Sequence, residues 1–200
     1  MIRAVRDGDV LTLTIDRADK ANSLTGAMLA ELAGHIRKAG NLRLLILSGS
    51  GAKVFSAGAD LEETRAGLAT SPLWEKLSAA IAEQPCLTVA ALNGTLAGGA
   101  FGMALACDIR LSVPHASFFY PVAKLGFLPQ PSDPSRMARL IGPARTNLIL
   151  TGGARLTAAE ALAFGLVDRL TETPLDDARA LAPGTPEHTA AIKAMIPTGL

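Results

Sequence analysis

The chain has 200 residues, of which 49% are hydrophobic and 18% charged, a balance that suits one globular domain with a sizeable core. Nineteen basic residues stand against eighteen acidic ones, a net charge of +1, and without a basic block or an interleaved aromatic stripe this speaks against nucleic acid as a partner. No stretch reaches about 18 uninterrupted apolar residues and the opening Met1-Ile2-Arg3-Ala4-Val5-Arg6-Asp7 lacks an apolar signal core, so a soluble, cytoplasmic protein with no membrane association is expected.

Residues 2–5 and 10–15 read as paired strands joined by Asp7-Gly8-Asp9, and residues 16–23 follow as a polar loop of the kind that carries ligand contacts. Thr25 caps a helix with Met28, Leu29, Leu32, Ala33 and Ile36 at helical spacing, closed by Gly40 after Arg37 and Lys38. The apolar run 42–47 predicts a buried strand running into Ser48-Gly49-Ser50-Gly51-Ala52-Lys53. That loop has no third fingerprint glycine, no Gly-Lys-Ser/Thr and no amphipathic helix after it, which weighs against a dinucleotide or phosphate loop. A second glycine-marked loop, Ser56-Ala57-Gly58-Ala59-Asp60, opens a short helix capped by Asp60, with Glu62 and Glu63 either serving the helix dipole and solvent or facing a pocket. Ser71-Pro72 starts a further helix with Leu73, Leu77, Ala80 and Ile81 on one face, ending before Pro85.

The central stretch, residues 87–108, reads as a strand, a turn at Asn93-Gly94, the pair Gly98-Gly99, and a helix that is apolar on every side and hence buried. The free N–H groups of its first turn sit at the positive end of the macrodipole, where two glycines allow close approach. This is the physics of an oxyanion hole, and equally of tight helix packing. Strands are predicted at 109–113 and 116–120, a loop at 124–129, irregular chain at 129–134, helices at 135–140 and 145–150, and a capping box at Thr157-Ala158-Ala159-Glu160 for a helix ending near Gly165. Leu166-Val167 reads as a strand, and Pro174, Pro183, Pro186 and Pro197 limit the tail to at most two short helices. Cys86 and Cys107 lie in apolar surroundings without Cys-x-x-Cys spacing and read as reduced core residues. No Gly-x-Ser-x-Gly surrounds Ser56 or another serine, and His35, His115 and His188 lack a metal-binding spacing, so neither a hydrolytic triad nor a metal site is expected.

Four motifs in order resemble the enoyl-CoA hydratase/isomerase (crotonase) family: Phe55-Ser56-Ala57-Gly58-Ala59-Asp60, Asn93-Gly94 with Gly98-Gly99, Cys107-Asp108-Ile109, and Leu156-Thr157-Ala158-Ala159-Glu160-Ala161 with Gly165-Leu166-Val167. The resemblance implies an α/β fold, a crotonase-type (ClpP/crotonase-like) spiral of repeated ββα units over residues 1–170, with a short C-terminal helical tail at 171–200. It implies an acyl-CoA or similar thioester as partner, coenzyme A as part of the substrate with no separate cofactor or metal, lyase or isomerase chemistry in fatty acid metabolism, and a homotrimer or dimer of trimers. The thioester oxygen would sit between the backbone N–H groups of Ala59 and Gly99. Adenosine and pantetheine would lie against Lys20, Asn22, Ser23 and Leu24 and the backbone of Ser56, Ala57 and Ala59, with Lys20 either meeting a phosphate or simply solvated.

The chain also departs from the family pattern. The two glutamates used for hydration would fall at Gly102 and Val122, and the isomerase subgroup keeps the second of them; general acid–base groups contribute about 10² to 10⁴ each, so standard hydration loses its chemistry here. A dehalogenase-like branch has a nucleophilic aspartate where this chain has Gln130, and a naphthoate synthase branch uses a bound bicarbonate. Nearby polar residues are Tyr120, Lys124, Ser132, Asp133 and Arg136. Tyr120 reads as a hydrogen-bond donor to a reacting oxygen or a packed ring with a wet hydroxyl, Asp133 as a pocket residue or a turn or cap residue, and Lys124 and Arg136 as solvated. The tail after Val167 is shorter than in usual members, which would leave the acyl pocket open or closed by oligomerisation. Two functions follow from the resemblance: enolate stabilisation on a bound thioester, or a catalytically silent thioester-binding or assembly subunit.

Overall fold

A computed structural model describes residues 1–196. β1 (Ile2–Asp7) and β2 (Val10–Ile15) form an antiparallel hairpin. α1 (Gly26–Arg37) begins where the Thr25 hydroxyl accepts the Met28 N–H at 3.2 Å, and it buries Met28, Leu29, Leu32, Ala33 and Ile36, the stripe read from the sequence.

Three turns of a spiral follow. β3 (Leu44–Gly49) and β4 (Val54–Ser56) lead into α2 (Leu61–Arg65) and α3 (Leu73–Ala82). β5 (Leu87–Leu92) and β6 (Thr95–Ala97) lead into α4 (Phe101–Ala106), and β7 (Ile109–Ser112) and β8 (Ser117–Phe119) into α5 (Val122–Leu125) and α6 (Asp133–Leu150). β9 (Arg155–Thr157), α7 (Ala158–Phe164) and β10 (Arg169–Leu170) come next, then α8 (Pro174–Arg179) and α9 (Pro186–Met195). Pro197 and the rest of the expected tail, residues 197–200, lie outside the described residues.

Each spiral turn gives one strand to a six-stranded sheet, ordered β1-β2-β3-β5-β7-β10, and one to a four-stranded sheet, ordered β4-β6-β8-β9. The turns stack in parallel: Leu47 pairs with Leu13 on one side and Ala90 on the other. This is the α/β spiral of ββα units that the resemblance implied. On β3, Leu45 and Leu47 enter the main core with the helices, while Leu44 and Ile46 join Val89, Ala91 and Leu111 on the opposite face, covered by Ala178 of α8. A sheet buried on both faces needs an unbroken apolar strand, which is why residues 44–47 show no alternation.

Several motifs turn out to be architectural. Asp108 accepts the Thr88 N–H at 2.8 Å and the Lys193 ammonium at 2.7 Å, tying β5, β7 and α9 together. Arg110, 3% exposed, pairs with Asp168 at 2.8 Å and donates to the carbonyls of Leu166 and Cys107. Cys86 and Cys107 are free and buried, and burial pushes their thiols up to about 11 and about 12.

The structure corrects several local expectations and keeps one. The turn between β5 and the central helix contains the strand β6, and β9 was likewise unexpected; three-residue strands are too short to show a period. Residues 122–125, partly placed in a loop, form α5, which ends at Gly126 with φ +71°. Pro134 lies in the first turn of α6, where its missing N–H costs nothing, so the irregular chain ends at Ser132. The two helices expected on either side of Gly142 stand as read, since α6 is broken at Gly142 by φ +79° with Pro143 following. Leu166 and Val167 are buried in a turn, and the strand comes later, at β10. Among the described residues no helix is long and apolar enough to cross a membrane.

Candidate active site

Two glycine-marked turns meet just beyond the C-terminal ends of β4 and β6, which are parallel neighbours. Gly58 has φ +90° and Gly98 φ +60°, conformations that side-chain-bearing residues rarely adopt. A Cβ on Gly58 would stand 3.0 Å from the Ala97 carbonyl oxygen and 3.4 Å from the Gly99 nitrogen, so the turns touch backbone to backbone. Leu24 N–H donates to the Gly58 carbonyl at 2.8 Å and Asp60 N–H to the Leu24 carbonyl at 2.9 Å, which turns the intervening Ala59 N–H the other way. Gly99 lies in a 3-10 turn, Gly98–Ala100, whose first N–H groups have no acceptor within the helix. Among the hydrogen bonds of the described residues, neither the Ala59 nor the Gly99 N–H has an acceptor.

The loop at 17–24 braces this corner. Asn22, fully buried with φ +51°, donates through Nδ2 to the Ser50 and Val54 carbonyls and accepts the Arg17 N–H on Oδ1. Ser56 donates its hydroxyl to the Asn22 carbonyl at 2.8 Å and accepts the Gly58 N–H, and the Ala57 N–H donates to the Ala21 carbonyl. Arg17 reaches Ser23 and pairs with Asp60 at 2.7 Å, holding the Asp60 carboxyl below its ordinary range while Asp60 caps α2. The side chains of Asn22, Ser23 and Ser56 are thus spent on the loop itself. What they present outward is backbone, together with the exposed Lys20 and Ala57.

Ala57, Ala59, Ala97 and Gly99 line an apolar cavity of about 170 Å³ together with Trp74, Tyr120, Val122 and Phe127. Trp74 was not singled out in the sequence. Its ring packs against the Gly99 backbone, 3.2 Å from where a Cβ would stand, and its indole N–H donates to the Leu68 carbonyl at 2.9 Å. The only signal that could have found it is its being the sole tryptophan of the chain. Val122 does line the cavity, as an apolar wall.

Behind Tyr120 lies the least expected feature. The Tyr120 hydroxyl, on a residue 3% exposed, donates to Asp133 Oδ2 at 3.0 Å, so it is neither wet nor merely packed. Asp133 is fully buried, opens α6 without capping it, and leaves Oδ1 without a hydrogen-bond partner among the described residues. That oxygen stands 2.9 Å from where a Cβ on Gly102 would be. The carboxylate therefore fills the space that the missing side chain of residue 102 leaves open. Arg136 departs from the expectation of a solvated side chain: its Nη1 is buried without a partner. Ser132 donates its N–H and hydroxyl to Glu75 of α3. Lys124 is exposed, and Gln130 donates to the Ala69 carbonyl at the cavity wall. Glu63 accepts the Gly26 N–H at 2.7 Å and so serves the start of α1. His115 meets the Ala52 carbonyl at 2.8 Å, far from the cavity lining, and no group of three or more His, Cys, Asp or Glu side chains comes together among the described residues.

Burial, outweighing the Tyr120 hydrogen bond and the Arg136 charge, pushes Asp133 up to about 7. Between about pH 4, where an unfolded aspartate titrates, and about 7, the folded state then holds a proton that the unfolded chain has released, so stability falls as pH rises through this window. Urea midpoints compared across it are expected to decline toward neutral pH in the native protein, and to lose that slope in Asp133→Asn. An unchanged slope in the variant would refute the assignment to Asp133.

Comparison with known proteins agrees with this architecture. The sequence model for enoyl-CoA hydratase/isomerase matches residues 6–197, and the chain belongs to that family, the crotonase family. A carnitinyl-CoA dehydratase of Salmonella arizonae is 37% identical over 190 residues, covering 90% of this chain and 72% of the relative. Among solved structures, an enoyl-CoA hydratase from Bacillus anthracis superposes with a TM-score of 0.85 at 29% identity, over 96% of this chain and 81% of that one. An enoyl-CoA hydratase/carnithine racemase from Magnetospirillum magneticum gives 0.86 at 30% identity, over 96% and 78%.

Proposed function

We propose that the cavity receives the acyl end of an acyl-CoA thioester, holds its carbonyl oxygen between the N–H groups of Ala59 and Gly99, and stabilises the enolate left by loss of an α proton. The observation that carries this reading is the pair of acceptor-free backbone donors on two abutting glycine turns at the mouth of an apolar cavity. Backbone donors fixed by a sheet need no reorganisation as negative charge develops, and one such donor is worth about 10² to 10³ in rate. The family and the carnitinyl-CoA dehydratase relative support a coenzyme A thioester as the substrate class. Lys20, exposed on the bracing loop, is the cation assigned to a nucleotide phosphate in this reading. The same reading has the protein working as a cytoplasmic homotrimer or dimer of trimers with no separate cofactor, metal or membrane. Gly102 and Val122 remove the usual hydratase acid/base pair, so water addition is not the activity proposed.

Incubation with acetyl-CoA or butyryl-CoA in heavy water is expected to exchange the α hydrogens for deuterium, read by mass spectrometry. Gly99→Pro, which deletes one donor, is expected to abolish the exchange in a sample whose circular dichroism shows it folded. Binding of the thioester without any exchange in the native protein would instead establish the second reading, a silent thioester-binding subunit, which the same Gly102 and Val122 favour.

A further inference from the structure

Resting on the enolate reading above, we infer that Tyr120 and Asp133 form a proton relay that takes over the work of the carboxylate absent from position 102, with Tyr120 meeting the α carbon and Asp133 holding the proton behind it. Tyr120 lines the cavity that also contains Gly99. Its ring is fixed by stacking on Phe101, with centroids 5.4 Å apart and planes 16° from parallel. Phe101 and Gly102 are consecutive on α4, so the helix that supplies the stack also supplies the vacancy that Asp133 enters. A buried aspartate whose second oxygen has no partner is costly for a purely structural element, since an apolar residue would fill the same space without that penalty.

The electrostatics around Asp133 are those of a group able to change charge. Arg136 lies one turn along its own helix with a buried, unpaired nitrogen; Glu75 approaches from α3 through Ser132; Tyr120 faces it from the chain after β8; and α4 offers no titratable group between Phe101 and Ala106. With Asp133 ionised, the Tyr120 hydroxyl hydrogen points at Oδ2, and the phenol oxygen, which takes one long hydrogen bond from the Gln130 N–H at 3.5 Å, keeps a second acceptor position. In the forward step the α C–H bond breaks, its proton forms a new O–H bond on Tyr120, and the original Tyr120 proton passes to Asp133 Oδ2. The C–H electron pair moves into the enolate, whose oxygen lies between the Ala59 and Gly99 N–H groups. One proton has moved from carbon to Asp133, no co-reactant is consumed, and the reverse step returns it. Asp133 acts through Tyr120 and is a positioning residue; Tyr120 is the group at the substrate.

Because Tyr120 is the only tyrosine of the chain, protein labelled with ¹³C at the tyrosine ζ carbon gives a single resonance that reports this hydrogen bond. That resonance is expected to titrate with a midpoint near 7, the value to which Asp133 is pushed, and to be flat in Asp133→Asn. The rate of α-hydrogen exchange of acetyl-CoA in heavy water is expected to rise with pH through the same midpoint. Asp133→Asn and Tyr120→Phe are each expected to lose about 10²-fold or more in that rate, with the thioester dissociation constant unchanged within about twofold and the pH dependence gone. Either variant exchanging at the native rate with the native pH profile overturns the relay while leaving the enolate reading intact. No exchange by the native protein with bound thioester overturns both. Should Asp133→Asn fail to fold, Tyr120→Phe, which keeps the ring and its stack, decides the matter alone.

Discussion

Replacing Gly94 with alanine is expected to destabilise the fold by at least about 4 kcal/mol, the range reached by few single substitutions. A Cβ at this position would stand 2.2 Å from the carbonyl carbon and oxygen of Lys53 and 2.5 Å from the Val54 nitrogen. These are backbone atoms at the start of β4, and the Thr95 N–H donates to the Lys53 carbonyl at 3.0 Å, so neither chain can retreat without breaking the β4–β6 ladder. Denaturant unfolding of Gly94→Ala beside the native protein measures the loss. A midpoint shift of a few tenths of a molar or none would show that the two strands are less tightly constrained than the structure requires. As Gly58 abuts Ala97 and Gly98 just past this ladder, the proposed thioester binding is expected to fall along with stability.

The second large effect concerns Gly102. Introducing glutamate there puts a Cβ 2.9 Å from Asp133 Oδ1 and then a second carboxyl group into a space that already holds one. Gly102→Glu is expected to cost about 3–5 kcal/mol, the penalty of an uncompensated buried charge. Removing the competing carboxylate should reverse it: the double variant Gly102→Glu/Asp133→Gly is expected to regain most of the loss, a coupling that a double-mutant cycle by urea denaturation reads directly. Additive losses in the cycle would mean that the two positions do not share one space.

Much of this protein was legible one residue at a time. The α1 stripe, the Asp60 cap and the capping box at Thr157 and Glu160 are encoded within a turn of helix, and all three stand as read. The two glycine turns were also visible, because glycine is demanded wherever the backbone takes positive φ or another backbone passes close by. What could not be read was pairing. β6 and β9 exist as strands because their neighbours present free ladder positions, a fact about the spiral and not about Thr95–Ala97 or Arg155–Thr157. The same limit hid the centre of the site. Gly102 looked like a loss and Asp133 like a pocket residue or a turn or cap residue, and only their contact shows that the empty position on one helix houses the carboxylate of another. Trp74 escaped because helical periodicity counts a face as apolar without saying that one of its members borders a cavity.

In the proposed function, the winding of the chain separates two kinds of work. Ala59 and Gly99 follow adjacent parallel strands, so the turns that carry them are seated side by side at one end of a ladder. Tyr120 and Asp133 come from the next turn of the spiral and from the helix after it, outside that ladder. On the reading proposed above, the grip on the thioester and the handling of its proton therefore sit on separate modules of the coil. Gly102 and Asp133, on helices of two successive turns, share one space across those modules.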